Sequence, residues 1–286
     1  MVIIYQKFKQ HLHTSIMKTV SLFLAAIFLF VAHTKSQHKD STAPSKNSPS
    51  LPGPEKPEAT EFYTPVPPIV TPAASIGYPP SDALILFDGK NLDEWVSSNN
   101  IALPAQWVIS GDAVTVNKKS GDIQTKRNFT DFQLHIEYRM PSGITGTGQA
   151  RGNSGIFLAS PPEQGGYELQ VLDNYNNSTY VNGQAGSMYK QAVPLANACR
   201  KPGEWQTYDV VWTAPRFNDH RILQSPARIT VFHNGVLVQN NTTLLGHTPY
   251  IGQPAYRVHG PAPIKLQAHG DPSEPISYRN IWLREL

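Results

Sequence analysis

The sequence predicts an all-β fold built as a two-sheet antiparallel sandwich or jelly roll, and three observations lead there. From Asp82 onward the segments are short, β-branched and aromatic, with turn residues about every eight to twelve positions. Asn234-Gly235 divides ITVFHNGVLVQ (229–239) into two strands with the signal of a type I′ hairpin. No amphipathic helix longer than a turn or two and no internal repeat can be found. About ten to twelve strands in roughly 200 residues pack most economically as two facing sheets.

The chain upstream of this region reads differently. Val20 to Ala32 (VSLFLAAIFLFVA) is an apolar run that follows Met17-Lys18 and is short for a membrane span. It predicts a signal peptide within residues 1–37, with translation starting at Met17. Residues 38–81 predict a Pro-rich tether, since 11 of the 25 prolines lie between Pro44 and Pro80. Residues 82–286 form the expected domain. The protein is therefore expected to be exported, to the periplasm or outside the cell, with no membrane span once processed.

Charge and cysteine content narrow the function classes. Residues 1–40 hold five lysines and one aspartate, which leaves 19 basic and 20 acidic residues in 41–286. The folded part is nearly neutral, so nothing points to nucleic acid or to an anionic membrane. Cys199 is the only cysteine, and an exported domain without an intrachain disulfide must rely on its core.

Within the domain the strands follow in order. WVISGDAVTV (107–116) turns about Ser110-Gly111-Asp112; DFQLHIEYRM, NSGIFLAS, GYELQVLD, WQTYDVVWT, PIKLQAHG and ISYRNIWLREL supply the others. Most of the five tryptophans are expected in the core, because Trp212 and Trp282 share parity with Val210 and Tyr278.

Three of these strands carry long polar groups opposite apolar ones. In LHIEYRM, His135, Glu137 and Arg139 alternate with apolar residues; in YELQVLD, Glu168 and Gln170 do so; in PIKLQAHG, Lys265, Gln267 and His269 do so. If the three strands share a sheet, one face holds two carboxylates, two cations, two amides and an imidazole. A solvated antiparallel sheet also shows mixed charges. This set, however, gathers proton-transfer and oxyanion-stabilising groups. In RGNSGIF (151–157), Gly152 and Gly155 leave room for a ligand or for a tight bend. Within residues 82–286 no HxH, HExxH, CxxC, GxSxG or P-loop occurs. The metal stays open, as a His from one strand and carboxylates from two others could bind a divalent ion.

The series LFDGKNLDEW, RGNSGIFL, YELQVLDN, GEWQTYDVVWTAPRF, ARITVFHNGVLVQNN, IKLQAHG and YRNIWLREL resembles the 3-keto-disaccharide hydrolase family over Leu84 to Leu286. The resemblance implies a concanavalin-like jelly roll and cleavage of glycosides already oxidised at C3, with a sugar 3-dehydrogenase acting upstream. A C3 ketone makes the C2 proton acidic; a base removes it, and the enolate expels the C1 substituent. On this implication His269 or Glu168 is the base, Arg139 and Lys265 stabilise the C3 oxyanion, and Glu137 is the acid or an orienting partner. Gln170 and Gln267 hold hydroxyls, with Asn153 and Tyr189 at the margin. The chain departs from the family after His269, where Asp271 to Ile276 make a longer link bearing Pro272 and Pro275. Two other readings stand beside this one: a glycoside hydrolase using Glu137 and Glu168 as paired carboxylates, and a non-catalytic lectin-like module.

Overall fold

The computed structural model describes residue 53 and residues 56–286. The expected signal segment and most of the tether lie outside the described residues. The chain divides into a unit ending at Val66, whose described part is a single 3-10 turn (Pro57–Thr60), and a compact unit from Pro67 to Leu286. Residues 67–81, at the end of the Pro-rich stretch, thus belong to the compact unit. Among the described residues no helix is long and apolar enough to cross a membrane.

The strands in chain order are β1 (Leu84–Phe87), β2 (Trp95–Ser97), β3 (Val108–Ser110), β4 (Ala113–Thr115), β5 (Ile123–Thr125), β6 (Phe132–Arg139), β7 (Ser154–Phe157) and β8 (Glu168–Val171). They continue with β9 (Trp205–Thr213), β10 (Arg216–Phe217), β11 (Leu223–Ser225), β12 (Arg228–His233), β13 (Val236–Thr243), β14 (Lys265–Leu266) and β15 (Ser277–Glu285). Eight form one antiparallel sheet in the order β13-β12-β9-β6-β15-β4-β3, with β1 also paired to β15. Five form a second, β2-β5-β14-β7-β8; β10 and β11 make a separate ribbon. The fold is the expected all-β jelly-roll sandwich. The β12–β13 hairpin turns at Asn234-Gly235, both in the left-handed region at φ 52° and 79°, as a type I′ turn requires.

Alternation builds the core between the sheets. Phe132, Leu134, Ile136 and Tyr138 of β6 face Ile156, Leu169 and Leu266 of the second sheet, all at 1% exposure or less. Burying each such side chain stabilises the fold by about 1.5–3 kcal/mol. Polar ties cross the same layer: Tyr208 Oη donates to the Gln170 carbonyl at 2.8 Å, and Ser154 Oγ meets Tyr278 Oη at 2.8 Å. Trp95, Trp107, Trp212 and Trp282 are buried. Trp205 instead lies partly exposed on the outer face, with the guanidinium groups of Arg139 and Arg279 4.5 and 4.2 Å from its ring centroid.

The topology corrects one expectation. β6 lies in the eight-stranded sheet, whereas β8 and β14 lie in the five-stranded one, so the three polar faces do not form a single surface. The reason is that parity tells only which residues share one strand's face, and both sheets of a sandwich have an outward polar face.

Candidate active site on the five-stranded sheet

Pairing in the five-stranded sheet places Val96, Gln124, Lys265, Phe157 and Glu168 side by side across five strands. Directly paired residues of antiparallel strands point to the same side, and here it is the side away from the core. Beyond β8 the segment 186–189 extends the sheet: Tyr189 N–H donates to the Glu168 carbonyl at 3.0 Å and Gln170 N–H to the Ser187 carbonyl at 2.9 Å. Tyr189 therefore continues the first row. A second row holds Gln267, Gly155 and Gln170, with Gln267 N–H donating to the Gly155 carbonyl at 3.0 Å.

The structure thus brings together Glu168, Gln170, Lys265, Gln267, Asn153 and Tyr189, and His269 follows two residues after Gln267 on the same segment. Glu137 and Arg139 stand apart, on the outward face of the other sheet. There Glu137 accepts from Arg279 Nε at 2.7 Å and Asn280 Nδ2 at 2.8 Å and lies 3.5 Å from His135 Nε2. Burial raises its carboxyl, but these three partners outweigh that and hold it at about 2. His135 is pinned against Asp209 at 2.6 Å and stacks on Trp282, while the Gly77 carbonyl accepts from Trp282 Nε1 and Asn280 Nδ2. The group ties residues 72–80 down over the sheet.

Glu168 has the opposite environment. It is 7% exposed, and its carboxyl lies over Gly155, where a β-carbon would come within 2.5 Å of Oε1. Burial pushes the carboxyl up to about 8, and Lys265 and Lys190 only partly counter this. At neutral pH it is therefore mostly the protonated acid. Among the described residues, three buried groups of the second row have no hydrogen-bond partner: Gln170 Oε1, Gln267 Oε1 and Ser187 Oγ. Two unspent amide acceptors beside a carboxylic acid fit a site that takes O–H donors. Gln170 is anchored at its other end, donating from Nε2 to Asn153 Oδ1 at 2.9 Å, and Asn153 Nδ2 donates in turn to the Gln149 carbonyl at 2.9 Å.

Lys265 sits over the Phe157 ring at 4.1 Å, with its ammonium 3.3 Å from Asp122 Oδ2. At the far end His269 Nδ1 lies 3.1 Å from Asp271 Oδ2. Burial raises the Asp271 carboxyl, yet His269, two bonds from Ser273 and the Lys118 ammonium outweigh it and hold it at about 2. Lys118 Nζ donates to the carbonyls of Asp271 and Ser273 at 2.7 and 2.8 Å and lies 3.2 Å from Asp271 Oδ2, and Gly152 N–H donates to Ser273 Oγ at 2.9 Å. The longer link after His269 is thus the piece that fixes its imidazole. Gly152 and Gly155 serve different ends. Gly152 takes φ 64° against Met140, whereas Gly155 makes room for the Glu168 carboxyl.

Sequence reasoning missed Asp122, Gln124, Ser187, Lys118 and Asp271. The strand DIQT carried the needed alternation, with Asp122 and Gln124 opposite Ile123 and Thr125. Cys199 takes no part: burial pushes its thiol up to about 12. Among the described residues no three His, Cys, Asp or Glu side chains gather as a metal site. An open cleft of about 510 Å³ adjoins the row at Gln124.

A candidate glycosyl hydrolase from Parabacteroides distasonis is 56% identical to this chain, with a TM-score of 0.75 over 81% of this chain and 97% of the other. Two further candidate glycosyl hydrolases from the same organism share the fold. One is 20% identical (TM-score 0.52, covering 71% and 99%) and the other 18% identical (TM-score 0.51, covering 72% and 94%). No curated protein matches the chain. The model of the 3-keto-alpha-glucoside-1,2-lyase-like domain matches residues 82–284, so with this fold and this face the chain belongs to that family.

Proposed function

We propose that this face cleaves glycosides whose sugar carries a ketone at C3. The family and the 56% identical candidate glycosyl hydrolase support a carbohydrate-active enzyme. The observation that carries the finer reading is the buried Glu168 acid, set over Gly155 among unspent amide oxygens and on one face with Lys265, with the His269–Asp271 pair following Gln267.

In this reading His269, oriented by Asp271, removes the C2 proton. The electrons form the C2–C3 enolate, whose oxygen is stabilised by Lys265. As the ketone re-forms, C1–C2 becomes a double bond and the C1–O bond breaks. Glu168 gives its proton to the departing oxygen. Water then adds at C1, or the unsaturated sugar leaves. Gln170 and Gln267 accept from sugar hydroxyls, with Asn153 holding Gln170 and Tyr189 closing the edge. A reaction oxidising the sugar at C3 must supply the substrate, and the apolar run at Val20 to Ala32 agrees with work outside the cytoplasm.

The test is to offer the full-length protein a disaccharide and its 3-keto derivative. Only the keto sugar should be cleaved, and deuterium at C2 should slow the reaction where proton removal limits the rate. Equal cleavage of both sugars would overturn the enolate route. Sugar binding without cleavage of either would instead support the lectin-like reading.

A further inference from the structure

The chemistry above leaves the cleft at Gln124 unused. We infer that it receives the leaving group, and that this group is a planar, hydroxyl-bearing aromatic ring, a phenolic aglycone, in preference to a second sugar. The inference rests on the reading of this face as a glycoside-cleaving site.

Position comes first. Gln124 lines the cleft and is paired directly with Lys265, so the cavity opens one strand away from the cation of the proposed site. A substituent leaving C1 of a sugar held between Glu168 and Lys265 would extend across the sheet toward it. The cavity, at about 510 Å³, is within the range that holds a small organic ligand.

The lining then selects the chemistry. Pro161, Pro162, Pro261 and Pro263 provide rigid apolar walls, with Ile101 at the rim, 69% exposed. Among the described residues no Trp, Tyr or Phe side chain lines the cleft. Sugar subsites commonly offer such a ring, polar at one end and flat, for the apolar face of a pyranose. Proline walls suit a flat aromatic guest instead. The one aromatic face on the lining is the His259 imidazole, held by Tyr167 Oη at 3.0 Å from Nε2 and by the Gly260 carbonyl at 2.8 Å from Nδ1.

Polar groups on the wall fit a phenol. Gln164 lines the cleft, and its Oε1 has no partner among the described residues. Turning the terminal amide, a broad torsion, offers that acceptor to a ring hydroxyl. Lys126, also on the lining, can donate to a ring hydroxyl. When the C1–O bond breaks, its electron pair goes to the aryl oxygen and the Glu168 proton follows. The C2 proton remains on His269.

The experiment compares three 3-keto glucosides with the same sugar: methyl, glucosyl and hydroxyphenyl. Each kcat/KM is divided by the rate of base-catalysed cleavage of that compound without enzyme, which removes the intrinsic advantage of a phenol. The hydroxyphenyl compound should then exceed the glucosyl one by about tenfold or more. Ile101→Trp, which fills the mouth, and Gln164→Ala should each reduce the hydroxyphenyl-over-methyl ratio by about tenfold or more. Melting curves establish that both variants fold. A corrected preference for the glucosyl compound, or variants that lower both substrates equally, would overturn the inference. If no keto glycoside is cleaved, the proposed function fails by itself. Calorimetry with hydroquinone then decides the cleft: binding that Ile101→Trp abolishes supports it, and no binding overturns it.

Discussion

The Glu168 carboxyl occupies the space above Gly155 that any β-carbon would fill. A methyl group there would meet Oε1 at 2.5 Å, Cγ at 3.0 Å and Cδ at 3.1 Å. Every atom in the way belongs to one flexible side chain, and Gly155 has an ordinary strand backbone. Gly155→Ala should therefore fold, at a cost of about 1–3 kcal/mol for overpacking, and displace the acid. On the proposed mechanism kcat falls by on the order of a hundredfold while KM changes little. Turnover equal to wild type would show that the carboxyl position is immaterial.

Glu168 also predicts a pH signature in stability. An unfolded glutamate titrates near 4.5, and burial raises the folded value to about 8. Below about 4.5 both states are protonated and the burial cost vanishes; between about 4.5 and 8 the unfolded chain ionises first and stability declines. Glu168→Gln removes this penalty. Relative to wild type the variant should gain stability as pH rises through that window, by up to about 4 kcal/mol at the alkaline end, while losing turnover. Parallel denaturation curves at all pH values would contradict a buried protonated acid.

Glu137 should behave as its mirror image. Arg279, Asn280 and His135 hold it at about 2, so it contributes stability above the unfolded value, and that contribution is lost as pH falls through about 2. Glu137→Gln should cost about 1–3 kcal/mol at neutral pH, a loss that shrinks in acid. Turnover should persist. A paired-carboxylate glycosidase built on Glu137 and Glu168 requires the reverse, because removing either carboxylate would stop it.

These two glutamates also show how far the sequence could be read. Alternation marked both as outward-facing polar residues, and the strand count gave two sheets. Nothing in the pattern stated which sheet β6 joins, since that depends on long-range pairing with β9 and β15. Gln170, Lys265 and Gln267 were legible because they lie on strands whose apolar partners are entirely core. Asp271 and Lys118 were not, as they meet across 153 residues through a turn that has no period. The longer link after His269 could be seen as a departure, but its role as a clamp on the imidazole emerges only from its hydrogen bonds.

That clamp carries the last prediction. Asp271 is nearly inaccessible and accepts from Ser273 N–H at 2.9 Å, while Lys118 fixes the turn at the Asp271 and Ser273 carbonyls. Its other oxygen, Oδ2, lies 3.2 Å from Lys118 Nζ and 3.1 Å from His269 Nδ1; with the ring proton on Nδ1, Nε2 is the nitrogen able to take a proton from substrate. Asp271 acts through His269 and touches no reacting atom, so it is a positioning residue. Asp271→Asn keeps the size but replaces the carboxylate oxygen that faces the imidazole, so the ring is no longer held in one orientation. kcat should fall by about tenfold or more, with KM little changed. Lys118→Ala, which loosens the turn but leaves the carboxylate, should lower kcat by less. If Asp271→Asn reduced only thermal stability and left kcat in place, His269 would not be the base, and proton removal would have to be sought at Glu168.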